Sequence, residues 1–321
     1  MINRRVSAKK RDKGAVSRRG IVNSSTSSPP PTGWRRWLPN AEDFVLVAMA
    51  LSGVYFYLNF MHIPTHKPED FAPMHRAGQL AARTLAHVEP KVAPGVSTGA
   101  LDDIIRDFIA ENDAIAATMG YRGFSHSSCI SVNEVVCHGV PSHTKELRRG
   151  DIVNIDVTVI VDGWHGDTSK TFIVGGKESA SDEALKLVRT TREALELGLK
   201  ECRPNGYMGD IVFPIQKHIE GAGYSVVNTY TAHGIGRKFH SPPHIEHAGG
   251  FPHRGARLKP GMFFTIEPMA NAGTDKTRLL SDGWTVVTAD GKLSAQFEHT
   301  VGVGKEECEV FTRLPGNDEF I

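Results

Sequence analysis

The sequence predicts an α+β fold built from two related halves, and three observations predict it. Helical patterns come first and strand patterns follow, twice over along the chain. Each run of strands carries a pair of acidic residues, Asp156 and Asp167 in the first half and Glu267 and Glu298 in the second. Residues 151–171, DIVNIDVTVIVDGWHGDTSKT, hold the plainest strand-turn-strand pattern in the chain. Antiparallel sheets would meet around a central acidic site, with helices outside.

The chain begins differently from the rest. Residues 1–43 carry ten Lys or Arg against three acids, then turn Ser-rich and Pro-rich, a composition that buries no core and predicts disorder. Residues 44–61, FVLVAMALSGVYFYLNFM, are 18 residues without a charge, the lower limit for a membrane-spanning helix. Arg35 and Arg36 upstream would keep the N-terminus in the cytoplasm. From residue 62 to 321 the pattern is that of a globular catalytic domain. Hydrophobic residues make up 40% of the chain, ample for a core, and a net charge of +1 argues against nucleic acid as the main partner. The four cysteines, Cys129, Cys137, Cys202 and Cys308, form no CxxC pair, which suits free thiols in a reducing compartment such as the cytoplasm.

Residues 69–88 read as an amphipathic helix. Thr98 is the expected cap of the next, with Leu101, Ile104, Ile105 and Phe108 as its buried stripe and Asp102 and Asp103 in the first turn. A strand over 128–136 and a polar loop through Arg149 lead to the hairpin. Two helices over 182–201 and 209–220 open the second half. Strands are expected over 225–231, 263–267, 284–287 and 293–303.

In the hairpin, residues 152–161 alternate, so Asn154, Asp156 and Thr158 share one face and Ile155, Val157, Val159 and Val161 the other. Asp162-Gly163 is the signature of a type I′ turn, which needs positive φ at both central residues. A two-residue loop there pairs Val161 with Trp164, sets Thr158 opposite Asp167 and leaves Asp156 on the diagonal from Asp167. Such neighbours sit roughly 5 to 8 Å apart. Two carboxylates that close repel unless a cation lies between them. The same pattern also fits two aspartates on a solvated sheet face.

Further strands supply the remaining donors. In FFTIEPMA, residues 263–270, Phe263, Thr265 and Glu267 share a side; in SAQFEHTV, residues 294–301, Gln296, Glu298 and Thr300 do. His233 lies in TAHGIGRKFH, one of fifteen histidines, several of which cluster at His240, His244, His247 and His253. Singly, each Glu fits a solvated surface group and His233 a turn residue. Together Asp156, Asp167, His233, Glu267 and Glu298 form an oxygen-rich set with one nitrogen, suited to Mn, Fe(II), Co or Zn. Four carboxylates exceed the needs of one ion and suit two, about 3.5–4 Å apart.

At these residues the sequence closely resembles the type 1 methionine aminopeptidases of the pita-bread fold. The matching blocks are 132–139 (VNEVVCHG), 150–160, 165–172 (HGDTSKTF), 233–240 (HGIGRKFH), 258–268, 282–288 (DGWTVVT) and 293–300, within residues 68–312. The resemblance implies that Asp156 chelates one ion, Asp167 and Glu298 bridge, and His233 and Glu267 complete the second. It implies a hydroxide held between the ions attacking the carbonyl that follows an N-terminal methionine, with a small residue second. His240 would bind the substrate amide and His138 would act near the scissile nitrogen or the residue after the scissile bond, so the expected catalytic residues are His138, His240 and Glu267. Tyr121, Phe124, Cys129, Phe239 and Trp284 would form the methionine pocket, joined in substrate binding by His138 and His240. A thioether packs well on aromatic edges and sulfur. Phe124 stands where many relatives carry Tyr.

The resemblance implies nascent polypeptide N-termini as partners in the cytoplasm, a monomer, and no nucleic acid, with ribosome docking left open. Short bacterial members start with a Met at about the distance of Met61 before a similar Pro-Glu-Asp. Met61 is therefore the expected start, and the alternative is a membrane anchor or targeting arm over 44–61. Three other readings compete: a peptidase of the same fold that cleaves before proline, a non-enzymatic binding module that has lost its ligands, and a membrane-anchored scaffold.

Overall fold

The computed structural model describes residues 62–314, and the expectations for residues 1–61 lie outside them. The first half holds helices α1 (Phe71–Val88) and α2 (Thr98–Glu111), then strands β1 (Ile115–Ala116), β2 (Cys129–Val132), β3 (Val135–Cys137), β4 (Ile152–Val161) and β5 (Trp164–Ile173). The second repeats the order with α3 (Asp182–Glu201) and α4 (Met208–Gly221). There follow β6 (Ser225–Val226), β7 (Ala232–Gly234), β8 (Ser241–Ile245), β9 (Phe263–Ile266) and β10 (Met269–Asn271). The described chain closes with β11 (Thr277–Leu279), β12 (Val286–Thr288), β13 (Ser294–Gln296), β14 (His299–Val303) and β15 (Cys308–Val310). All pairings are antiparallel, and they form four sheets.

The hairpin has the predicted register. Asp162 (φ 51°) and Gly163 (φ 77°) make the turn, Val161 pairs with Trp164 and Thr158 with Asp167. The apolar face, with Ile155, Val157 and Val159, packs under α1 and α2 against Leu80, Leu101 and Ile105. The contact with α1 depends on Gly166: a Cβ there would lie 2.3 Å from the carbonyl carbon of Ala77. A second core joins α3 and α4 to the sheets of the second half through Leu187, Ile211, Ile215, Phe264 and Phe297. A smaller aromatic cluster of Trp164, Phe263 and Phe311 ties together the hairpin, β9 and the turn that follows β15.

Several elements differ from expectation for local reasons. The cap of α2 is Ser97, whose Oγ accepts from Ala100 N at 3.2 Å; Thr98 is the first helical residue and its Oγ1 donates to Ser142 O. Asp102 and Asp103 therefore lie beyond the first turn, and Asp102 is buried, accepting from Ser127 N and Ser128 Oγ. The strand expected over 128–136 folds back at Asn133 (φ 56°) into β2 and β3. The run 293–303 divides between Gln296 and His299. Trp284 precedes β12, because Asp282 Oδ1 accepts from the amides of Trp284 and Thr285. Of residues 225–231 only β6 is strand.

The four cysteines are free, and Cys202 at the end of α3 donates to Cys308 of β15 at 2.7 Å. Among the described residues no helix is long and apolar enough to cross a membrane.

Candidate metal centre and its cavity

The polar face of the hairpin is stitched to β13 and β14 by side-chain hydroxyls. Thr168 Oγ1 donates to Glu298 O at 2.7 Å and Thr300 Oγ1 to Asp167 O at 2.7 Å, while Glu298 N donates to Ser169 O at 3.0 Å. Asn154 Nδ2 and Thr171 Oγ1 both donate to Gln296 O, at 2.9 and 2.6 Å. These bonds satisfy backbone groups that the break between β13 and β14 would otherwise leave buried and unpaired. They also carry Glu298 to the face that bears Asp156 and Asp167.

On the other side, β7 and β9 bring His233 and Glu267. Thr265 Oγ1 accepts from His233 N at 3.1 Å and lies 2.8 Å from Glu267 Oε1, to which it donates. Gln296 Nε2 donates to Glu267 Oε2 at 3.3 Å. Glu267 N donates to Nε2 of His247, a fully buried imidazole whose Nδ1 has no partner among the described residues.

All five predicted ligands line one cavity of about 340 Å³. Asp167, His233 and Glu298 each offer an atom within 4.8 Å of the others. His233 Nε2 stands 3.7 Å from Asp167 Oδ2 and 3.8 Å from Glu267 Oε1. Asp156 lies outside that tight trio and faces the same cavity. Every predicted substrate-side residue lines it too: Tyr121, Phe124, Cys129, His138, Phe239, His240 and Trp284. Phe124 packs on Trp284 with centroids 5.0 Å apart, and Tyr121 on Phe239 at 5.0 Å and His240 at 5.3 Å. His138 (φ 55°) edges toward Tyr230 and Trp284.

Electrostatics state what the cavity floor wants. Burial raises Asp156 to about 7 and Glu267 to about 8. Asp167 and Glu298 rise well above the ordinary range, first through burial and then through repulsion from the neighbouring carboxylates. Burial lowers His233 to about 4, so its imidazole is neutral. Its Nδ1 faces Gly234 O at 3.2 Å and carries the proton, which leaves the Nε2 lone pair aimed at two carboxylates. Four acids and a lone pair lining one buried cavity, three of the five groups within 4.8 Å of one another, is a repulsive arrangement that a divalent cation reverses, and carboxylate with imidazole is the donor set of Mn, Fe, Co and Zn. The residues therefore fit metal ions.

At the mouth, desolvation by the cavity walls, then His233 and Arg122, lower His240 to about 3, and burial lowers His138. Sequence reasoning missed Arg122, Tyr230, Cys137 and Met269 as lining residues, and His247 behind Glu267. Cys137 lies inside a matched block beside His138, a usable signal; Arg122, Tyr230 and His247 carry none that is local.

A model of metallopeptidase family M24 matches residues 72–305. The chain is 52% identical over 253 residues to a methionine aminopeptidase of Escherichia coli strain K12, covering 78% of this chain and 94% of the relative. It is 51% identical over 239 residues to methionine aminopeptidase A of Synechocystis, covering 74% and 93%. The crystal structure of methionine aminopeptidase from Rickettsia prowazekii superposes with a TM-score of 0.76 at 49% identity, covering 78% of this chain and all of that one.

Proposed function

Because the chain belongs to metallopeptidase family M24, with the pita-bread fold and the methionine aminopeptidases as its relatives, we propose that it removes the initiator methionine from peptides and nascent chains. Residues 62–321 form the catalytic unit in this reading. The observation that carries it is the meeting, in one cavity, of Asp156, Asp167, His233, Glu267 and Glu298 with an aromatic wall that fits a thioether.

Asp156, Asp167, His233, Glu267 and Glu298 would together hold the divalent ions. Once held, the ions supply Lewis acidity toward the scissile carbonyl and lower the pKa of water. The protein's own groups do the rest. Phe124, Trp284, Tyr121, Phe239 and Cys129 bind the methionine side chain and exclude water. The neutral His240 imidazole donates a ring N–H toward the carbonyl oxygen as negative charge develops there. His138 would hydrogen-bond the scissile nitrogen or the residue that follows it. Cytoplasmic nascent chains, where free thiols persist, are the expected substrates.

The test uses a Met-Ala tripeptide with metal-loaded protein. Asp167→Asn and His240→Ala each lower methionine release by at least about 100-fold, in keeping with losses from single electrostatic groups. Full activity in either overturns the assignment.

A further inference from the structure

Arg122 is an unoccupied cation at the mouth of the cavity. It is exposed, and it is the one Lys or Arg among the described residues that lines the cavity. Its backbone is left-handed (φ 48°, ψ 27°), flanked by Gly120 (φ 81°) and Gly123 (φ 89°). Hydrogen bonds close the turn around it: Tyr121 N donates to Thr118 O at 3.0 Å, and Gly120 N to Phe124 O at 2.7 Å. A long side chain adopts this conformation at a cost, and the result here is to aim it. The guanidinium lies over the Tyr121 ring, 5.4 Å from its centroid. Tyr121 in turn packs on His240, whose ring is 4.1 Å from that of His233. Arg122 is thus two rings removed from the metal centre, on the outward side.

Among the described residues the guanidinium makes no hydrogen bond or ion pair, and it rests over the Tyr121 ring. The cavity's acids, Asp156, Asp167, Glu267 and Glu298, are the ligand set at its floor. Arg122 is the one Lys or Arg among the described residues on this wall, and it gives the wall a permanent positive charge. In the aminopeptidase reading, a peptide whose methionine fills the aromatic pocket, with its scissile carbonyl at the floor, would leave past this wall. Its third residue is the first side chain free to reach a group two rings out. A planar guanidinium with five donors matches a carboxylate in bidentate geometry.

We propose that Arg122 is a specificity-determining residue that recognises an acidic side chain at the third position of the substrate, an inference that rests on the aminopeptidase reading. A pair this exposed is weak, so the preference is modest, about 3- to 10-fold in kcat/KM between Glu and Lys and carried mostly by KM. The experiment compares Met-Ala-Glu-Ser, Met-Ala-Gln-Ser and Met-Ala-Lys-Ser with full-chain, metal-loaded enzyme at low and high salt. The expected order is Glu above Gln above Lys. The ratio narrows toward one at about 1 M salt, where the Debye length falls to ~3 Å. It also narrows in Arg122→Asn, a variant that tolerates the left-handed turn, and reverses in Arg122→Glu; thermal melting verifies that both fold. Methionine release without ranking, or a ranking that survives both variants, overturns this inference alone. Absence of release from all three peptides overturns the aminopeptidase reading and this inference with it.

Discussion

Thr158 and Asp167 face each other across the β4–β5 hairpin, and the Thr158 hydroxyl donates to Asp167 Oδ1 at 2.7 Å with both side chains buried. The bond leaves Oδ2 turned toward His233. A hairpin register set by two turn residues thereby orients a carboxylate that strands from the other half must meet.

Thr158→Val keeps shape and strand preference and removes that donor. Stability falls by about 1–3 kcal/mol, the range for a buried acceptor that loses its partner. Metal affinity falls by about 10- to 100-fold, as for outer partners of metal ligands. Calorimetric titration of the metal-free protein measures the second effect, and denaturant unfolding the first.

Metal binding is coupled to protons. Asp156 and Glu267 have ordinary values of 3.8 and 4.5 and are raised to about 7 and about 8 by burial. The metal-free fold therefore holds protons that the unfolded chain has lost. The stability these two carboxyls contribute is fully present on the acid side and is lost as pH rises from the unfolded values through the folded ones. A cation displaces those protons, so proton release on binding is larger near about pH 6.5 than near about pH 9, and apparent affinity climbs between them. Calorimetry in buffers of different ionisation enthalpy counts the protons.

Gly166 lies on β5 where α1 crosses. An added Cβ would stand 2.3 to 2.5 Å from backbone atoms of Ala77 and Gly78, which cannot swing aside as a side chain would. Gly166→Ala therefore costs about 3 kcal/mol or more, at the upper end of overpacking effects. Chemical denaturation checks it, with a change in midpoint at constant slope as the expected result.

Phe124 is 4% exposed and packs on Trp284. Phe124→Leu keeps the pocket apolar and removes the aromatic contact to a thioether, worth about 0.3–1.5 kcal/mol. KM for a Met-Ala peptide rises by about 2- to 10-fold with kcat nearly unchanged, and the gap between methionine and norleucine substrates narrows. A larger loss in kcat than in KM would contradict a binding role.

The sequence by itself determined the parts whose instructions are local. Asp162-Gly163 set the hairpin register, alternation chose the faces of residues 152–161, and helical periodicity located α1 to α4 within a residue or two. The five candidate ligands and the aromatic wall were legible through alternation and resemblance, and all of them line one cavity. Tertiary structure alone decided what depends on partners distant in the chain. Strands such as β7, β10 and β15 are three residues long, too short for a period to appear, and exist because a neighbouring strand completes their hydrogen bonds. The imidazole of His247 beneath Glu267 and the 3.7 Å between His233 and Asp167 have the same origin. Each joins residues at least twenty apart in sequence, and their separation follows from tertiary packing, which no short window of residues contains.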